Sequence, residues 1–183
     1  SYFSTLDMKS GYWQICLNEE DKEKTVFTTP FGLYQFNVLP FGLINAPAGF
    51  QNTMQGILRE LLGVDCLVYF DDIIGFSKTE NEHMEKLQRV FSRIKTVGLQ
   101  MNIEKCRFMQ RSISYLGYII SKDGIQTDPE NVNKILHHPK PTNIKELRTF
   151  MGLTNYYRNY INGFAKLTVP LTKLTHKDTS FHW

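Results

Sequence analysis

The chain has 183 residues, of which 42% are hydrophobic and 21% charged, with a formal net charge of +3. That length can bury one sizeable core with an appendage, and that composition excludes a disordered or low-complexity chain. The charge is uneven: residues 1–90 hold 7 Lys+Arg against 12 Asp+Glu, a net of −5, and residues 91–183 hold 14 against 6, a net of +8. A basic half beside an acidic half suits a nucleic-acid partner, although surface Lys and Arg that only keep a protein soluble give the same statistic.

Cys16, Cys66 and Cys106 are odd in number and far apart, with neither disulfide-framework nor zinc-ligand spacing, which points to a reducing, intracellular setting. The pair His137-His138 has no cysteine partner nearby. Residues 25–58 carry no Asp, Glu, Lys or Arg, but Pro30, Pro40 and Pro47 interrupt the run, so it does not read as a membrane span, and no signal peptide is visible.

In chain order, residues 2–7 read as a strand ending on Asp7, followed by the short apolar segment Tyr12 to Leu17 and a helical turn over Glu19 to Lys24 capped by Asn18. Thr25 to Thr29 and Leu33 to Val38 read as a hairpin around Pro30-Phe31-Gly32. A helix begins near Asn45-Ala46-Pro47, with Phe50, Met54, Ile57, Leu58 and Leu61 as its apolar stripe and Gly63 as its stop. Leu67 to Phe76 then reads as strand, tight turn, strand, with Asp71-Asp72 at the tip.

Thr79-x-x-Glu82 is a capping box for a helix whose buried face is Met84, Leu87, Val90, Phe91 and Ile94 and which Gly98 stops. Arg107 to Gln110 and Ser112 to Ile120 read as strands. Asp128-Pro129 opens a short helix with Val132, Ile135 and Leu136 inward, and His138-Pro139-Lys140-Pro141 reads as a linker. Asn143 to Gly163 reads as helical, with Ile144, Leu147, Phe150 and Met151 on one face and a break at Gly152.

The acid pair carries the chemical interest. A lone Asp-Asp in a turn is most often a solvated hairpin tip. Here the flanks look buried, and a third acid, Asp7, closes a similar apolar stretch. Three carboxylates converging from strand ends repel unless a divalent cation holds them, and hard oxygen ligands suit Mg²⁺ or Mn²⁺.

Tyr69-Phe70-Asp71-Asp72 resembles the catalytic box of reverse transcriptases. Nearly the whole chain resembles the polymerase palm of long-terminal-repeat retrotransposon enzymes of the gypsy-type branch, relatives of the retroviral ones. The resemblance implies an α+β fold: a split βαβ palm, an antiparallel sheet with helices on one face, part of the fingers and the start of a thumb. It implies palm and fingers over 1–120 and a thumb-like helical segment over 121–183. A longer pol polyprotein would carry RNase H and integrase elsewhere, and RNase H is absent from this stretch. The implied function is RNA-directed DNA polymerisation, with a DNA primer, an RNA or DNA template, dNTPs and two Mg²⁺ ions (Mn²⁺ as substitute). No membrane is implied, and the setting is a cytoplasmic particle or the nucleus.

Residue by residue, the resemblance assigns metal binding and catalysis to Asp7, Asp71 and Asp72. Asp7-Met8-Lys9-Ser10-Gly11-Tyr12 resembles the first family motif. Its backbone amides at Met8 and Lys9 would meet the triphosphate, Gly11 would permit close approach, and Tyr12 would exclude a ribose 2′-hydroxyl; on spacing alone Tyr12 reads as a core aromatic. Leu39 to Pro47 resembles the second motif, with Phe41 and Gly42 at the nucleotide and Phe41 standing where retroviral members carry Gln. Without the resemblance, that turn reads equally as a helix entry. Lys105 would protonate the leaving pyrophosphate, and a lone Lys there also reads as surface. Tyr115-Leu116-Gly117-Tyr118 resembles the family's hairpin at the primer end, where Leu116, Gly117 and Tyr118 would grip the primer, against the reading of an ordinary core strand. Lys145, Arg148 and Arg158 would touch phosphates or simply form a solvated helix face. Two competing readings are a catalytically inactive module that binds nucleic acid or protein and an RNA-dependent RNA polymerase, the latter disfavoured by Tyr12.

Overall fold

A computed structural model gives the fold and describes residues 1–176, 179, 181 and 182; Lys177, Asp178, Ser180 and Trp183, in the expected 121–183 segment, lie outside the described residues. The chain forms two compact units, Ser1–Tyr115 with Ser121–Asp123, and Leu116–Ile120 with Gly124–Trp183.

In the first unit, a four-stranded sheet has the order β4-β5-β1-β6, from β1 (Tyr2–Asp7), β4 (Cys66–Tyr69), β5 (Asp72–Ser77) and β6 (Arg107–Gln110). β1 runs antiparallel to both its neighbours, pairing Leu6 with Ile73 and Asp7 with Asp72 across β5. Beside the sheet, β2 (Phe27–Thr29) and β3 (Gly32–Tyr34) form an exposed hairpin, and α1 (Glu19–Lys22) is a single turn.

Two helices supply the core. α2 (Ala46–Ile57) carries Pro47 in its first turn, where the missing N–H costs nothing. Phe50, Met54 and Leu58, four residues apart, are fully buried with Leu6, Met8, Ile73, Leu87, Val90 and Ile94. Each such side chain stabilises the fold by about 1.5–3 kcal/mol. Gly63 does not stop this helix. It lies in the loop before β4, and the Arg93 guanidinium instead donates to the Ile57 carbonyl at the helix end.

α3 (Glu80–Thr96) is capped by Thr79 Oγ1, which accepts from the Glu82 amide, while Glu82 accepts from the Lys78 amide one residue further back than the expected box. Its buried stripe is His83, Leu87, Val90 and Ile94. Met84, expected inward, is 56% exposed, because the stripe begins one residue earlier on a histidine.

His83 is sealed between strands. Ser77 Oγ donates to the Thr79 carbonyl and lies 3.0 Å from Nδ1, so it accepts the Nδ1 proton. Ser4 Oγ accepts the Met109 amide and lies 2.7 Å from Nε2, so its own proton goes to Nε2. Every bond fits one neutral tautomer. Burial, and then the Lys86 charge, push the imidazole below its ordinary value, with Glu82 opposing. The unfolded chain therefore takes up the proton first, and this network's contribution to stability declines as pH falls below about 6.5. We expect the His83 ring resonances to titrate with a midpoint below 6.5 in an NMR pH series; a midpoint above it contradicts the assignment.

The segment that reads as strand over 112–120 is two strands, β7 (Ser112–Tyr115) and β8 (Tyr118–Ser121), in the hairpin form that the resemblance implied at Tyr115–Tyr118, ordered with β9 (Gly124–Thr127) as β7-β8-β9. The break falls at Leu116-Gly117, where φ is +48° and +75°, the mark of a type I′ turn. In the second unit, α4 (Pro129–Leu136) is capped by Asp128, and α5 (Ile144–Tyr156) by Asn143, whose side chain accepts the Glu146 amide. α5 runs unbroken through Gly152 and buries Leu147, and α6 (Phe164–Lys173) follows a 3₁₀ turn over Arg158–Tyr160. Leu136, expected inward on α4, is 75% exposed because it sits in the helix's last turn. Among the described residues no helix is long and apolar enough to cross a membrane.

Candidate active site

The sheet register places the acids. Asp7 ends β1 directly opposite Asp72, the first residue of β5, and Asp71 occupies the two-residue turn that precedes it. Like charges facing each other across a strand pair repel. Burial raises the Asp71 carboxyl above its ordinary range, and the charges of Asp7 and then Asp72 raise it further. Asp72 is raised by burial and then by Asp7. Asp71 Oδ1 is buried with no hydrogen-bond partner. A buried, unpaired carboxylate oxygen is costly and fits a site that receives a cation. In this conformation, no group of three or more His, Cys, Asp or Glu side chains among the described residues forms a ready-made metal-ligand set.

The turn bearing Asp71 is held from α2. Phe70 has φ +51°, a conformation that costs an L-residue on the order of 1 kcal/mol. Gln51 accepts the Phe70 amide and donates to the Val68 carbonyl, bracketing the turn with one side chain. Strain that persists because its surroundings fix it is typical of functional sites. Tyr115 adds a second brace: its hydroxyl donates to the Asp72 carbonyl at 3.3 Å, and burial followed by the Asp72 charge pushes its pKa up to about 12. A Gln on a helix reads as surface, so nothing in the sequence marked Gln51. Tyr115 opens the hairpin that the resemblance implied, but that resemblance gives roles only to Leu116, Gly117 and Tyr118.

Gly11 is buried beside Asp71. A Cβ there would lie 2.7 Å from Phe50 Cζ and 3.1 Å from Asp71 Oδ1. Tyr12 stacks on Phe50 with centroids 4.9 Å apart and meets Phe41 at 5.0 Å. Burial and then the Asp71 charge raise the Tyr12 hydroxyl. Phe41 is 60% exposed and forms the outer wall of this aromatic stack, while Gly42, with φ +92°, turns the chain toward α2.

The first motif divides in two. Met8 is buried and bridged to Met101, and the Lys9 amide donates to the Gln100 carbonyl. That amide is therefore engaged, not turned outward as a free anion donor. Lys105 is exposed, next to Cys106, whose sulfur accepts the Asp7 amide. Leu116, Gly117 and Tyr118 belong to the other compact unit.

Residues 1–120 match the family described as reverse transcriptase (RNA-dependent DNA polymerase). The chain belongs to the reverse transcriptase family. Its relatives include the retrovirus-related Pol polyproteins of the Drosophila melanogaster transposons opus, 48% identical over 95% of this chain, and gypsy, 44% identical over 94%. The chain spans 17% of the length of each. The foamy viral protease–reverse transcriptase in complex with double-stranded DNA superposes with a TM-score of 0.88, at 29% identity, covering all of this chain and 32% of that one. A foamy viral protease–reverse transcriptase in complex with an RNA/DNA hybrid gives 0.86 at 29% identity, covering all of this chain and 25% of that one. The α+β palm of a reverse transcriptase is thus the fold, and retrotransposon Pol polyproteins of the gypsy type are the kin. Reverse transcriptases generally use divalent metal ions.

Proposed function

We propose that the chain extends the 3′-hydroxyl of a DNA primer with deoxynucleotides on an RNA or DNA template. The observation that carries this is the meeting of Asp7, Asp71 and Asp72 at one strand end, with Asp71 Oδ1 buried and unpaired. These acids would hold Mg²⁺ or, in its place, Mn²⁺. Such ions, when bound, supply the charge that activates a hydroxyl nucleophile and steadies a leaving pyrophosphate. Gln51 and Tyr115 fix the turn that aims Asp71 and Asp72. Gly11 leaves room beside Asp71, and Lys105 is the proton donor assigned to the pyrophosphate.

The segment from 1 to 120 serves as palm and partial fingers, and that from 121 to 183 as a thumb-like piece whose Lys145, Arg148 and Arg158 contact backbone phosphates without reading sequence. Leu116, Gly117 and Tyr118 hold the primer terminus. The solved relatives bound to double-stranded DNA and to RNA/DNA hybrid support a template–primer as the partner. RNase H and integrase are expected in the parent polyprotein, and a cytoplasmic particle or the nucleus is the expected setting.

Primer extension on an RNA template with Mg²⁺ tests the reading. Incorporation by the wild-type chain, absent without the ion, is expected. Template–primer binding without incorporation overturns it in favour of a binding module.

Tyr12 supplies the sugar selection. Its ring stacks on Phe50 and meets Phe41, contacts that oppose its swinging aside for a 2′-hydroxyl. Tyr12→Val is expected to improve ribonucleotide use relative to deoxynucleotide by roughly tenfold or more, read from paired single-nucleotide incorporation rates. An unchanged ratio contradicts the steric role.

A further inference from the structure

Four tyrosines surround the Leu116-Gly117 turn, and two of them bond its backbone directly. Leucine at φ +48° is poorly suited to a type I′ position, so the local sequence does not hold this turn by itself. Tyr156 Oη donates to the Leu116 carbonyl at 2.5 Å, and Tyr157 Oη donates to the Gly117 carbonyl at 3.0 Å. Gly117 also receives the Asp128 amide at 3.2 Å. The fit is close: a Cβ on Gly117 would lie 2.8 Å from Tyr157 Oη and 3.4 Å from Tyr156 Cε1. The contact is reciprocal. The Tyr118 ring stacks on Tyr156 with centroids 5.4 Å apart and meets Tyr157 edge-on at 5.5 Å, and its hydroxyl donates to the Tyr156 carbonyl. Tyr157 is buried, so its bond is made away from competing water. The fourth ring, Tyr160, faces Tyr118 at 5.8 Å but sends its hydroxyl to the Ile125 carbonyl instead.

We propose that Tyr156 and Tyr157 are positioning residues for nucleotide transfer: their hydroxyls fix the Leu116-Gly117 turn, and with it the place where the primer's terminal sugar is held. The proposal rests on the primer-binding reading of Leu116–Tyr118. The turn is thereby tied to the end of α5 by two bonds that bypass 40 residues of chain. Removing both hydroxyls while keeping both rings loosens the turn and leaves the aromatic packing. A displacement of about 1 Å at a reacting terminus lowers rate by on the order of 10²-fold, so a partial loosening is expected to lower single-turnover incorporation by roughly tenfold.

The test uses the full chain, a DNA primer ending in 4-thiothymidine and an RNA template. Ultraviolet crosslinking maps where the primer end lies, and incorporation is measured separately with a normal primer. In the wild type, crosslinks are expected on Leu116–Tyr118. In the Tyr156→Phe, Tyr157→Phe double variant they are expected to spread beyond those residues, with the fraction of primer bound unchanged and incorporation slowed. Tyr160→Phe, which removes the same group from a bond away from the turn, is expected to match the wild type. Identical crosslinks in the double variant and the wild type overturn the proposal, as do wild-type crosslinks elsewhere or an equal effect of Tyr160→Phe. Wild-type crosslinks on Leu116–Tyr118 that spread in the double variant, without incorporation by either, support the clamp and overturn the polymerase reading alone.

Discussion

Asp71→Asn is expected to abolish primer extension, by at least 10³-fold, while making the metal-free chain more resistant to heat. The two effects have one cause. Asp7 and Asp72 face each other in register, and Asp71 stands beside them with its Oδ1 buried and unpaired. Burial and mutual repulsion push Asp71 and Asp72 toward the neutral form. Removing one charge relieves a like-charge contact of roughly 0.2–1 kcal/mol. For a chain of this size that raises Tm by up to about 4 °C. Removing a single preorganised charge-stabilising group typically costs 10²–10³-fold in rate, and a carboxylate that holds a metal supports more than one such group. Mg²⁺ is expected to raise the wild-type Tm, because it binds the folded state, and to leave the variant's nearly unchanged. Calorimetry and primer extension on the two proteins check this. A variant that unfolds earlier than wild type, or keeps more than a tenth of the activity, contradicts it.

Gly11→Ala is expected to lower kcat/KM by about 10²-fold with little change in template–primer affinity. The glycine backbone does not require glycine here for its dihedral angles, since Gly11 is not among the positive-φ residues; the requirement is space. The added methyl would meet Phe50 Cζ at 2.7 Å and Asp71 Oδ1 at 3.1 Å. Phe50 cannot yield cheaply: it is fully buried in the α2 stripe and stacked under Tyr12. The strain therefore passes to the Asp71 carboxylate and to the Tyr12 ring. Shortening the obstruction, with Phe50→Leu in the Gly11→Ala background, is expected to recover part of the loss. Steady-state kinetics on the four proteins of this cycle measure the coupling. Additive losses would show that Gly11 acts independently of the ring beneath it.

What the chain disclosed before its fold was known follows physical lines. β1, the β4–β5 hairpin and α2 were legible because their signals are local: apolar runs closed by acids at a turn, and apolar residues four apart after an Asn-Ala-Pro start. Asp7, Asp71 and Asp72 stood out by residue type and by their place at strand ends. Gln51 and Tyr115 were hidden because their partners are backbone groups 19 and 43 residues away, which no periodicity reports. His83 was hidden because a polar residue at the head of an apolar stripe reads as surface until Ser4 and Ser77 arrive from two strands to satisfy it. The turn at Leu116-Gly117 was legible only through the family resemblance, which implied a hairpin over Tyr115–Tyr118; the residues alone read as strand because leucine is not a turn residue, and its positive φ is held by hydroxyls at the end of α5. The Lys9 amide, expected to face the nucleotide, is bonded to Gln100, a pairing set by the loop after α3.

The acids, their braces and the aromatic stack converge on one claim, that the end of β1 and the β4–β5 turn form a divalent-cation site. Mn²⁺ titration followed by electron paramagnetic resonance, with RNA template and DNA primer present, measures it directly. The wild-type chain is expected to take up Mn²⁺, and Asp71→Asn to bind it at least tenfold more weakly. Equal Mn²⁺ binding by the two proteins would contradict the assignment of the site.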